Sequence, residues 1–213
     1  MSRYAADVTA LARKDLLLEL RSRDTLPAML LFVVSALAVF HFALPSGSSA
    51  RAETGLLWIA IVFTALLGLT RAFSAEREQG LLDGLVLAPC DRSAIWLGKT
   101  IGVTAFLVLA EIVALPAFAL FFHPLSWELV AAVALADLGI AAIGTLLAAI
   151  AAASRARELL LPLLFLPLAI PVVIGGVGAS VGSNPASFLG FLGLYDAVFA
   201  ILSWASFEYV VTE

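Results

Sequence analysis

Six stretches of roughly 20 apolar residues, at about 26–44, 54–73, 100–122, 127–153, 159–178 and 188–211, dominate this sequence. A bilayer core of about 30 Å is crossed by about 20 helical residues, so each stretch is long enough to span. Lipid offers no hydrogen-bond partners, and a spanning segment of this length satisfies its own backbone only as a helix. Of the 213 residues, 62% are hydrophobic and 13% charged, more apolar surface than a water-soluble fold of this size can hide. The expected fold is an all-α polytopic membrane protein with six transmembrane helices in a single transmembrane domain.

Basic residues set the expected direction. Arg3, Arg13, Lys14, Arg21 and Arg23 precede the first span; Arg71, Arg77, Arg92 and Lys99 lie at or between the ends of the second and third; Arg155 and Arg157 separate the fourth from the fifth. The opposite connections hold only Arg51. Lysine and arginine concentrate in cytoplasmic loops, so both termini are expected in the cytoplasm. The outward connections are short, leaving chemistry to the membrane interior or to attached partners. A net charge of −4 and the lack of a basic stripe argue against nucleic acid. The single cysteine, Cys90, excludes an internal disulfide, and nothing near it completes a metal or nucleophile site. Nine charges in the first 24 residues leave no apolar core for a cleavable signal peptide.

Two inward segments stand out. Residues 3–24 read as an interfacial helix, with Arg3, Lys14 and Arg21 on one stripe and Tyr4, Val8, Leu11 and Leu18 on another, although Asp15 and Glu19 intrude on the apolar arc. A plain solvated leader is the simpler reading. Residues 74–98 form the longest polar connection, where the run Glu76, Arg77, Glu78, Gln79 is followed by Gly80, Asp83 and Gly84. Ser93–Ile95 are expected to start a short helix leading into the third span. Charge alone in such a loop needs no more explanation than solubility.

Four blocks in order carry a resemblance: RKDLLLELRSRD (13–24), GLLWIAIVF (55–63), LTRAFSAEREQGLLDGLVLAPCDRSAIWLGK (69–99) and LLPLLFLPLAIPVVIG (160–175). Together they resemble the B subunit family of the haem exporter of system I cytochrome c maturation, an ABC-type permease of the bacterial inner membrane. The resemblance implies a type-2 ABC exporter-like fold with a cytoplasmic elbow helix and a coupling helix between spans two and three. It implies ATPase coupling through Glu76, Arg77, Glu78, Gln79, Gly80 and Asp83. ATP would be bound by a separate ABC ATPase subunit; no G-x-x-x-x-G-K-[ST] occurs here, and the chain is expected to be non-catalytic. The implied partners are that ATPase, a haem-handling membrane subunit, a small single-span subunit, the periplasmic haem chaperone and a second copy of the chain. The energy would drive either haem export or release of the haem-loaded chaperone.

Inside the spans lie three acids, Glu111, Asp137 and Asp196, with no basic residue at comparable depth. Such groups face protein or water, as a polar pathway or as interhelical hydrogen bonds that fix packing. They read as isolated on separate spans, without the ligand spacing of a metal-using membrane enzyme. Gly144, Ala148 and Ala152 form a small-residue stripe for close approach, within one chain or between two. His41 and His123 fall at the outer ends of their spans; they invite a haem-ligand reading, against which stands an aromatic belt with Phe40, Phe42, Phe121 and Phe122. No cofactor or metal is assigned to the chain itself. Pro167 and Pro171 predict a hinged or two-part fifth span, and Gly175, Gly176 and Gly178 a re-entrant outer element. An ion-coupled secondary transporter and a membrane-embedded enzyme are the competing classes; one broken helix without an internal repeat favours neither.

Overall fold

A computed structural model describes residues 2–22, 25–45, 47–73, 90–154 and 156–212. Among them are seven helices: α1 (Ser2–Ser22), α2 (Thr25–Ala43), α3 (Ala50–Arg71), α4 (Arg92–Phe121), α5 (Trp127–Ala153), α6 (Arg157–Val181) and α7 (Pro185–Thr212). The last six are long and apolar enough to cross a membrane, so the chain is an all-α polytopic membrane protein. Six crossings bring the start of α2 and the end of α7 to the same side of the bundle, here termed the terminal face.

Short polar side chains start the helices where hydropathy rises. Ser49 accepts from the Ala52 N–H at the start of α3, Asp91 from Ser93 before α4, and Ser126 from Leu129 before α5. Each supplies an acceptor for a backbone donor that the first helical turn leaves free. Asp91 takes both the hydroxyl and the backbone N–H of Ser93, and these hydrogen bonds hold its carboxyl below the usual range. In the turn between α2 and α3, Gly47 adopts φ 83°, a conformation that glycine tolerates without strain.

α5 is the central pillar. Most of its residues are buried, and it packs most extensively on α7, then on α6 and α4. Its small side chains make this possible. A Cβ at Gly139 would run into Asp196 and Tyr195 of α7, and one at Gly144 into Leu69 of α3. The Gly144 stripe thus serves packing within the chain. α2 and α7 lie at the edge, with most of their surface left to lipid.

Two sequence expectations give way here. Ser93–Ile95 do not form a separate short helix; they are the first turns of α4, which runs 30 residues without a break. At 1.5 Å per residue it is about 45 Å long, so several turns project beyond the hydrocarbon. Nor is the fifth span in two parts with a re-entrant end. α6 continues through Pro162, Pro167 and Pro171 to Val181, and α7 begins at Pro185.

The glycines of α6 are contact points rather than a fold-back. Gly175 faces Leu192 and Phe191, Gly176 the indole of Trp58, and Gly178 the ring of Phe188. Within this proline-rich stretch the Tyr195 hydroxyl donates to the Leu168 carbonyl at 2.8 Å, a hydrogen bond that ties α6 to α7. Tyr195→Phe is expected to cost about 1 kcal/mol in thermal unfolding of the detergent-solubilised chain. An unchanged midpoint would show that this interhelical hydrogen bond adds nothing to stability.

Candidate functional site

Among the described residues a polar joint lies at the terminal face, where α1 packs on α4 beside the end of α3. α1 crosses α4 at Gly98: a Cβ there would stand 2.8 Å from the Leu11 Cβ and 3.3 Å from the Val8 carbonyl oxygen. Val8 and Ala12 are buried against this crossing, and the Tyr4 hydroxyl lies 3.2 Å from that of Ser93. At the other edge of the same bundle face, Arg92 of α4 pairs with Glu208 of α7 at 3.4 Å.

Next to Gly98 sits Lys99, a lysine only 4% exposed. Its Nζ lies 3.1 Å from Asp15 Oδ2 of α1 and donates to the Ala72 carbonyl, past the end of α3, at 2.7 Å. It also rests 4.7 Å from the centre of the Phe73 ring. An ammonium group carries three donors, and a buried one needs this density of partners to offset desolvation. Asp15 Oδ1 meets Lys14 at 3.0 Å. A cavity of about 50 Å³ beside the pair is lined by Asp15, Met29, Gly68, Arg71, Lys99 and Phe106 among others.

The position of this cation matters. Ala72 and Phe73 are the last described residues before the stretch 74–89, and Lys99 lies two turns into α4, the helix that follows it. Lys99 therefore ties the end of α3 to α4 and both to α1, on the two sides of that stretch. Glu76, Arg77, Glu78, Gln79, Gly80 and Asp83 all lie outside the described residues. Cys90, at the described edge, is half-buried, and burial together with Asp7 and Asp91 pushes its thiol up, away from the reactive thiolate.

Sequence reasoning missed this joint. Lys99 counted only toward the one-sided basic charge, and Asp15 as a blemish in an apolar arc. The signal was present in both helices: Asp15 falls at helical spacing in the stripe Val8, Leu11, Leu18, and Lys99 in the stripe Ile95, Val103, Phe106. A charge in each of two apolar stripes is resolved most simply by pairing them.

The intramembrane acids are not all isolated, contrary to expectation. Glu111 of α4 and Asp137 of α5 face one another at hydrogen-bonding range, 8% and 1% exposed. Helix spacing in a sequence does not reveal which faces of α4 and α5 meet. Asp196 stands apart over Gly139, its two carboxyl oxygens without a hydrogen-bond partner among the described residues. No group of three or more acids, histidines or cysteines suited to a metal occurs among the described residues.

His41 and His123 both gather around the far end of α4. His41 packs on Phe121 and Phe122, with ring centres 5.5 and 5.6 Å away, and His123 edge-on to Phe118 at 4.9 Å. His123 Nδ1 is 3.1 Å from the Pro124 carbonyl oxygen, which only accepts, so Nδ1 donates. In the neutral ring Nε2 then accepts from the Thr54 hydroxyl at 3.4 Å. Both nitrogens are engaged, and an iron ligand role would have to displace Thr54.

A chain of six apolar crossings, with one docked surface helix and a polar joint at the terminal face, is a multi-pass membrane protein. It belongs to the CcmB protein family, which matches residues 6–207. Among similar proteins, heme exporter protein B of Rhodobacter capsulatus is 32% identical over 172 residues, covering 78% of this chain and 79% of the relative. The protein of the same name from Paracoccus denitrificans is 31% identical over 192 residues, covering 86% and 88%. That of Pseudomonas aeruginosa is 30% identical over 177 residues, covering 79% and 78%.

Proposed function

We propose that the chain is the membrane permease subunit of an ATP-driven haem-export complex, moved by a separate ATPase subunit that grips residues 74–98. The relatives named heme exporter protein B support the haem assignment. The observation that carries the coupling is the Lys99 clasp: its Nζ bonds the Ala72 carbonyl and Asp15, on the two sides of residues 74–89. A push on the segment would reach α3, α4 and α1 together, because one buried cation holds all three.

In this reading both termini and residues 74–98 are cytoplasmic, in the bacterial inner membrane, as the basic residues favour. The remaining partners are a haem-handling membrane subunit, a small single-span subunit, the periplasmic haem chaperone and a second copy of the chain. The work done is haem export or release of the haem-loaded chaperone. ATP is bound by the partner, and haem is cargo.

The test is a pair of variants, Glu76→Lys with Glu78→Lys, and Gly80→Pro. Each is expected to lower recovery of the ATPase with the affinity-tagged chain, or to leave recovery intact while cytochrome c assembly falls at least tenfold. Normal recovery and normal assembly in both would refute the contact.

A further inference from the structure

A spanning helix bundle rarely keeps a carboxyl group without a purpose or a partner. Glu111 and Asp137 present the sharpest case in this chain. Glu111 Oε1 and both oxygens of Asp137 are sealed from solvent and have no hydrogen-bond donor among the described residues. They are sealed inside one chain, so a neighbouring subunit cannot reach them. Each is the other's only charged neighbour among the described residues. Between 25 and 40 in α2, 54 and 70 in α3, and 159 and 181 in α6, no ionisable residue occurs. From α7 the ionisable groups set against α5 are Tyr195 and Asp196, and these meet it at Gly139.

Ionised carboxylates only accept, so two of them facing one another make a hydrogen bond only with a proton between them. A small cavity lies beside them. Glu111 lines a cavity between α2, α3 and α4, walled by Val33, Ile61, Thr64, Leu107 and Ala114, with about 10 Å³ of room for a water centre. That is about what a single water molecule occupies. Thr64 donates its hydroxyl to the Ala60 carbonyl at 2.7 Å, which leaves its oxygen free to accept from such a water. Glu111 is thus a buried acid, without a donor of its own among the described residues, opening onto a water-sized space.

We propose that Glu111 and Asp137 form a proton-binding site at the α4–α5 seam, holding one proton between the two carboxyl groups and exchanging it through the cavity beside Glu111. On loading, a hydronium in the cavity gives its proton to a Glu111 oxygen and leaves as water; the new O–H donates to Asp137, and no electrons change owner. On unloading, two negative groups face each other with no cation, and the seam between α4 and the central pillar is pushed apart. Proton occupancy and the α4–α5 contact are therefore linked. This site stands independently of the ATPase contact at residues 74–98.

Infrared difference spectroscopy on the full chain in lipid nanodiscs, stepped in pH, tests it. The expected result is a protonated-carboxyl C=O band that titrates, shifts in deuterated water, and is lost in Glu111→Gln and in Asp137→Asn while persisting in Asp196→Asn. Both substitutions keep the side chain's shape, and helicity by circular dichroism checks folding. If one variant fails to fold, the other and the wild-type spectrum still decide. No protonated band in the folded wild-type chain, or a band that survives in whichever of the two variants folds, overturns the proposal.

Discussion

Lys99→Met is expected to release α1 from the bundle and to lower stability by roughly 3 kcal/mol, toward the lower end for a broken buried ion pair. The lower end is appropriate because Asp15 keeps 15% of its side chain exposed and retains Lys14. Much of the loss comes from what is left behind: an acid without its main cation and an Ala72 carbonyl without its donor. Asp15→Asn should cost less, since the amide can still meet the ammonium, and Lys99→Met with Asp15→Asn should recover part of the single-variant loss. The measurement is thermal unfolding in detergent, together with disulfide trapping between cysteines placed at Val8 and Ala94. Trapping as efficient in Lys99→Met as in the parent would show that apolar packing at Gly98 holds α1 alone. If the clasp also transmits force, cytochrome c assembly should fall in this variant even when the ATPase is still recovered with the complex.

Gly176→Val should be among the most damaging single substitutions in the half of the bundle away from the terminal face, costing about 3 kcal/mol or more. A Cβ at this position overlaps the indole of Trp58, which is fully buried. The helix itself would gain from the change, because glycine costs about 1 kcal/mol relative to alanine in a helix interior. Gly190 and Gly193 isolate that gain, since nothing lies within 4 Å of a Cβ at either. Alanine there should leave stability unchanged or raise it by up to about 1 kcal/mol, measured by the same unfolding assay. Equal behaviour of alanine at 176 and at 193 would mean that the Trp58 contact is not present in the membrane-embedded protein.

Much of the architecture is legible in the amino-acid sequence. The six spanning helices fall on the six apolar stretches, with ends that differ by a few residues except at α4, where Arg92–Lys99 extend the third span by two turns. That extension is hidden because the added turns carry Arg92, Gly98 and Lys99, which interrupt the apolar stretch. The prolines of α6 mislead for a related reason. Each removes one backbone donor, but whether a helix breaks depends on what packs around it, and α6 is held by α3, α5 and α7, which lie elsewhere in the chain. The small residues of α5 predict close approach correctly without saying to whom.

Hydropathy is a property of a segment and its solvent, so the sequence by itself determined the number of crossings, the helical state of each and the gathering of positive charge toward one face. Which charges meet depends on how each helix is rotated about its axis and which neighbour it finds. Only the tertiary structure decided that Lys99 meets Asp15, that Glu111 meets Asp137, and that the glycines of α6 serve Trp58 and Phe188 rather than a turn. Burial in a medium without water makes those pairings costly to miss, and they are set by the bundle as a whole rather than by any stretch of it.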